Sequence, residues 1–66
     1  MQIVLNGDPV ETADGTTVAE LLHQIGVSRE RVAVELNADI VPKAEYEKQL
    51  LSDGDKIEIV HFVGGG

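Results

Sequence analysis

The sequence predicts an α+β domain: a small sheet of four or five strands with one main helix. Three observations carry that reading. Apolar and polar residues alternate with a period of two near both ends, in Met1 to Asn6 and in Lys56 to Phe62. A helix-spaced apolar stripe of Val18, Leu21, Leu22 and Ile25 lies between them. Turn-forming residues punctuate the rest at short intervals.

Met1, Ile3 and Leu5 fall on one face of the first strand, and Gln2, Val4 and Asn6 on the other. Asn6-Gly7-Asp8 then turns the chain, since Asn and Gly tolerate positive φ. Pro9 to Thr12 returns as a second strand, with Pro9 tolerable on a sheet edge. Thr17-Val18-Ala19-Glu20 matches a capping box, which starts the helix, and Gly26 stands where a C-cap glycine belongs. Ser28 to Arg31 is a polar connector. Val32 to Leu36 forms a third strand, Asn37-Ala38-Asp39 a turn, and Ile40-Val41 a short fourth strand ended by Pro42. A single helical turn is expected near Ala44 to Glu47, with Tyr46 packing inward and both Leu50 and Leu51 buried. Asp53-Gly54-Asp55 turns the chain into a last strand that reaches Phe62.

The order ββαβ(β)β suggests a β-grasp, or ubiquitin-like, fold with the helix on one face of a mixed sheet. A right-handed crossover would set the first and last strands parallel at the centre. The expected division is a folded domain over 1–63 and a flexible glycine tail over 64–66.

At 66 residues the chain is sized for one marginally stable domain. It has no cysteine, which removes disulfides, iron–sulfur ligation and thiol catalysis. Twelve acidic residues against five basic ones give a net charge of −7, so nucleic-acid phosphates would be repelled. That balance instead suits partners with basic docking surfaces. The longest apolar run is too short for a membrane span. The opening residues enter a strand pattern at once, so no signal peptide is expected, and the cytoplasm fits both features.

No enzyme or metal constellation is visible. His23 and His61 have no reason in the sequence to meet. Asp53 and Asp55 flank a turn glycine but lack the further oxygen ligands that a calcium loop needs. The tail Val63-Gly64-Gly65-Gly66 is different. Three glycines cannot pack a core, but a chain without side chains can thread a narrow channel. A carboxylate at Gly66 can attack the α-phosphorus of ATP to become an acyl-adenylate. A sulfur nucleophile can then displace AMP and leave a thiocarboxylate, with no cysteine on the carrier. Read alone, the tail is equally compatible with an idle extension.

A docking patch is expected beside the tail. If Ile57 and Ile59 face the helix, Val60 and Phe62 lie on the opposite, open sheet face, shared by Val4 from the first strand. The competing reading is that all three are ordinary strand residues.

The ending from Asp53 to Gly66 resembles the C-terminus of the ThiS family, the sulfur carriers of thiamin biosynthesis. So do Val32-Ala33-Val34-Glu35-Leu36-Asn37 with Ile40-Val41-Pro42, the opening Ile3-Val4-Leu5-Asn6-Gly7, and Thr17 to Leu22. Single motifs of this kind are widespread, but their order and spacing over nearly the whole chain are specific. Two departures stand out: Ala38, where family members often have Gly or Gln, and Tyr46, where they often have Trp. Ala38 argues against a strictly glycine-dependent turn.

The resemblance implies a non-enzymatic co-substrate with no bound cofactor. A ThiF-like enzyme would adenylate Gly66 with ATP, and a cysteine desulfurase route would supply sulfur. Thiazole synthase would accept the tail, in which Gly65 and Gly66 match the family's terminal pair and Gly64 adds reach. The alternatives are a carrier of another pathway, such as the small subunit of molybdopterin synthase, a ubiquitin-like protein modifier, and a β-grasp binding module with an idle tail.

Overall fold

The computed structural model describes residues 1–62. Five strands form one sheet: β1 (Gln2–Leu5), β2 (Asp8–Glu11), β3 (Val32–Leu36), β4 (Asp39–Val41) and β5 (Lys56–His61). Their spatial order is β2-β1-β5-β3-β4. β1 and β5 are parallel neighbours and β5 occupies the centre; the other pairings are antiparallel. This is the β-grasp arrangement expected from the sequence.

The β1–β2 hairpin closes through two residues, Asn6 (φ 48°) and Gly7 (φ 87°), between the paired Leu5 and Asp8. Both central residues are left-handed, the turn geometry whose twist matches that of the flanking strands. The β3–β4 hairpin repeats it with Asn37 (φ 51°) and Ala38 (φ 74°) between Leu36 and Asp39. The expectation drawn from Ala38 is therefore corrected. The turn has the geometry that favours glycine, and alanine occupies it under strain. Pairing of Leu36 with Asp39 leaves only two residues to reverse the chain.

The helix α1 (Val18–Ile25) begins at the expected capping box. The Thr17 hydroxyl accepts from Glu20 N–H at 3.2 Å, and the Glu20 carboxylate accepts from Thr17 N–H at 2.9 Å. It ends at Gly26, whose left-handed backbone (φ 75°) donates to the last carbonyls. Val18, Leu21 and Leu22 are buried against Ile3, Val34 and Ile57 of the sheet in one continuous core. Each such side chain contributes about 1.5–3 kcal/mol by leaving water.

The segment after β4 tightens into a 3₁₀ turn at Lys43–Glu45 and places Tyr46 in the core, 1% exposed. Leu50 corrects the expectation of two buried leucines: it is 56% exposed while Leu51 is 4% exposed. Leu50 forms an isolated antiparallel bridge with Thr17, and extended backbone sends consecutive side chains to opposite sides. A polar staple runs alongside the helix, from Thr16 just before its N-cap to Gln24 in its last turn. Thr12 and Thr16 share a hydrogen bond at 3.0 Å, and Gln24 joins Thr12 at 2.9 Å while donating to the Glu11 carbonyl at 3.1 Å.

Candidate functional site

The tail glycines Gly64, Gly65 and Gly66 lie outside the described residues. What the structure defines is the strand that leads to them. β5 is paired on both sides, and where β1 turns away the Asn6 side chain takes its place. Ile59 N–H donates to Asn6 Oδ1 at 2.8 Å, and Asn6 Nδ2 donates to the Ile59 carbonyl at 3.2 Å. On the other edge, Phe62 N–H donates to the Arg31 carbonyl at 2.9 Å. Lys43 Nζ sits 5.5 Å from the centroid of the Phe62 ring. The same ammonium donates to the Glu30 carbonyl at 3.3 Å and lies 4.0 Å from the Glu30 carboxylate. The chain thus approaches Val63 from a strand braced by three separate segments.

Ile57 and Ile59 are buried toward α1, so Val60 and Phe62 alternate onto the open face, 54% and 56% exposed. Val4 is half-buried and shares that face, but the register parts it from the other two. Val4 lies level with Lys56, four residues before Val60 along β5. At about 3.3 Å per residue that is roughly 13 Å. The structure brings Val60 and Phe62 together and leaves Val4 at the far end of the same face.

Ile40 is the patch residue that sequence reasoning missed. It is 75% exposed and stands beside Glu35 on β3, which in turn stands opposite Glu58 on β5. Ile40, Glu35 and Glu58 therefore form one row across three strands, adjoining Val60 and the smaller Ala33 opposite it. Neighbouring Ile40 and Val41 necessarily point to opposite faces, which was the available signal. Which of them points outward depends on register.

Asp53 and Asp55 are consumed by their turn. Asp53 Oδ1 accepts from Gln2 N–H at 2.8 Å, and Asp55 accepts from Ser52 N–H at 2.7 Å and from Asn37 Nδ2 at 3.1 Å. His23 and His61 are both exposed, on the helix and on the last strand. Among the described residues no group of three potential ligands could hold a metal ion. No described helix is long and apolar enough to cross a membrane.

Residues 3–66 match the ThiS family. The chain is 35% identical to the sulfur carrier protein ThiS of Escherichia coli, with 100% of both chains covered. It is 44% identical to the Bacillus subtilis sulfur carrier protein ThiS, covering 94% of this chain and 96% of that one. It is also 47% identical, over all 66 residues, to part of a thiazole synthase of Paramagnetospirillum magneticum. This chain spans only 20% of that relative's length, and the same share of a second thiazole synthase, from Magnetococcus marinus. The crystal structure of a thiamine biosynthesis protein (ThiS) from Geobacter metallireducens superposes with a TM-score of 0.86 at 35% identity, covering 100% of both chains.

Proposed function

The chain belongs to the ThiS family, and on that premise we propose that it is a sulfur carrier protein of thiamin biosynthesis. The observation that carries the reading is that the glycines follow a central strand, paired with β3 as far as Phe62 and with β1 and the Asn6 side chain as far as Ile59. A strand held this way makes a rigid handle for the residues that follow it in sequence. Likeness to two sulfur carriers over nearly the full length of each chain supports it.

In this reading the Gly66 carboxylate attacks the α-phosphorus of ATP in a ThiF-like enzyme, and pyrophosphate leaves. A persulfide supplied by a cysteine desulfurase route displaces AMP to give an acyl disulfide, and a second thiol cleaves its S–S bond, releasing the thiocarboxylate and leaving a disulfide. Gly64, Gly65 and Gly66 thread the partner's channel, where a Cβ would collide. The protein is a cytoplasmic co-substrate and not a catalyst, and it binds no cofactor of its own. Two relatives named thiazole synthase contain a matching segment, which favours thiazole synthase as the acceptor over molybdopterin synthesis. Val60 and Phe62 form the near part of the docking surface, with Val4 at its far edge.

Intact mass spectrometry tests the proposal. The protein is incubated with ATP, the adenylating enzyme and a sulfur donor. Replacement of one oxygen by sulfur is expected, and fragmentation must place it on Gly66, because oxidation of Met1 gives a nominally equal gain. Deletion of Gly65 and Gly66 should abolish the change. An unaltered Gly66 in the full-length chain would overturn the reading.

A further inference from the structure

We propose that the open face of the sheet receives a basic side chain of the adenylating enzyme between Glu35 and Glu58, within an apolar border of Ile40, Val60 and Phe62. The inference rests on the carrier reading for the identity of that enzyme, and it adds the chemistry by which the enzyme recognises this face.

The apolar border is the first observation. Four large apolar side chains are mostly exposed among the described residues: Ile40, Leu50, Val60 and Phe62. Three of them share one face of the sheet, at its β4–β3–β5 side. Singly scattered apolar residues are ordinary, whereas grouping on one face marks an interaction surface.

The second observation is electrostatic. Glu35 and Glu58 are direct cross-strand partners on this face. Phe62 N–H bonds to Arg31, and counting back by twos along the ladder makes Glu58 and Glu35 a hydrogen-bonded pair. Such pairs hold their Cα atoms about 5.5 Å apart. Like charges directly opposite one another weaken a sheet. Among the described residues neither carboxylate has an ion-pair or side-chain hydrogen-bond partner. Lys56, two residues along β5, bridges neither of them.

Together these observations select the occupant. A second copy of this chain would set the same carboxylates against each other, at a net charge of −7 per chain. Nucleic acid and anionic lipid are repelled for the same reason. A guanidinium or ammonium set among apolar side chains fits both features: its charge relieves the Glu35–Glu58 repulsion, and its surroundings cover Ile40, Val60 and Phe62. The patch adjoins Phe62, so an enzyme seated here stands next to the start of the tail it must adenylate.

The test is calorimetric binding of the chain to its adenylating enzyme, with thermal unfolding of each variant. Glu35→Gln and Glu58→Gln should each weaken binding by at least about tenfold and flatten its salt dependence. Neither should lower the melting temperature, because each relieves repulsion. Asp8→Asn removes the same charge on the edge strand β2 and should leave binding unchanged. Binding by the Glu35→Gln/Glu58→Gln double variant as tight as that of the original chain would overturn the proposal. So would an equal loss with Asp8→Asn, which would show long-range attraction only. If the original chain acquires sulfur at Gly66 while the double variant binds normally, this inference alone fails. If the original chain acquires none, the carrier reading fails, and the identity of the partner fails with it.

Discussion

The side-chain amide of Asn6 and the backbone of Ile59 exchange two hydrogen bonds, at 2.8 and 3.2 Å. Asn6 is simultaneously the first left-handed residue of the β1–β2 turn. One residue therefore ends β1 and continues its ladder along β5 toward the tail. Asn6→Gly keeps the backbone conformation and loses the amide, and should cost about 1–2 kcal/mol in urea unfolding. Asn6→Ala should cost about 0.5–1 kcal/mol more than Asn6→Gly, the left-handed strain of alanine being partly offset by glycine's extra freedom in the unfolded chain. In both variants hydrogen exchange at the Ile59 amide should accelerate before that of core amides. Unchanged Ile59 protection would show that the clamp is idle.

Ala38 holds φ at 74° in the β3–β4 turn. A left-handed alanine costs about 1–2 kcal/mol, and glycine's extra freedom in the unfolded chain returns roughly 0.5–1 of that. Ala38→Gly should therefore stabilise the domain by about 0.5–1 kcal/mol, with a rise of a few degrees in Tm. A lower Tm would contradict the left-handed turn.

Phe62 is 56% exposed and lies under the Lys43 ammonium. Truncating it removes apolar area from the proposed docking surface and an exposed cation–π contact worth about 0.5–1 kcal/mol. Phe62→Ala should weaken binding to the adenylating enzyme while lowering stability by no more than about 1 kcal/mol. Loss of roughly 3–5 kcal/mol, as for a core phenylalanine, would place the ring inside the fold.

Tyr46 is buried with its ring in the core. Burial holds its hydroxyl above the ordinary value of 10.0, opposed by hydrogen bonding at the Val34 backbone and by the Arg29 guanidinium. A raised folded pKa means that the folded state keeps the proton longer. The stabilisation is therefore fully present below the unfolded value and is lost as pH rises from there through the folded one. Urea midpoints should fall through this alkaline window, and Tyr46→Phe should flatten that fall. An identical slope in the Phe variant would show that Tyr46 does not control it.

Much of the architecture was legible because it rests on local chemistry. Asn6-Gly7 can hardly avoid a left-handed turn, Thr17 and Glu20 cap whatever helix follows them, and the alternation about Ile57 and Ile59 names the buried face of β5. Leu50 was misread because two adjacent leucines look alike until an extended bridge to Thr17 assigns one to each side. Ala38 was misread because residue type records a preference, whereas closure between Leu36 and Asp39 imposes the conformation.

The chain by itself determined the chemistry open to this protein. Without cysteine, no thiol of this chain can hold sulfur, which is what turns the proposed carrier reading toward the Gly66 carboxylate at the end of the glycine run. It also determined the strands and the helix, since period and capping act over a few residues. Tertiary structure decided which residues share a surface. Val4, Val60 and Phe62 share a face by alternation, but parallel pairing of β1 with β5 moves Val4 away, and antiparallel pairing of β3 with β4 and β5 brings Ile40, Glu35 and Glu58 together. Register is set by long-range hydrogen bonding and core packing, so no local pattern could have supplied it.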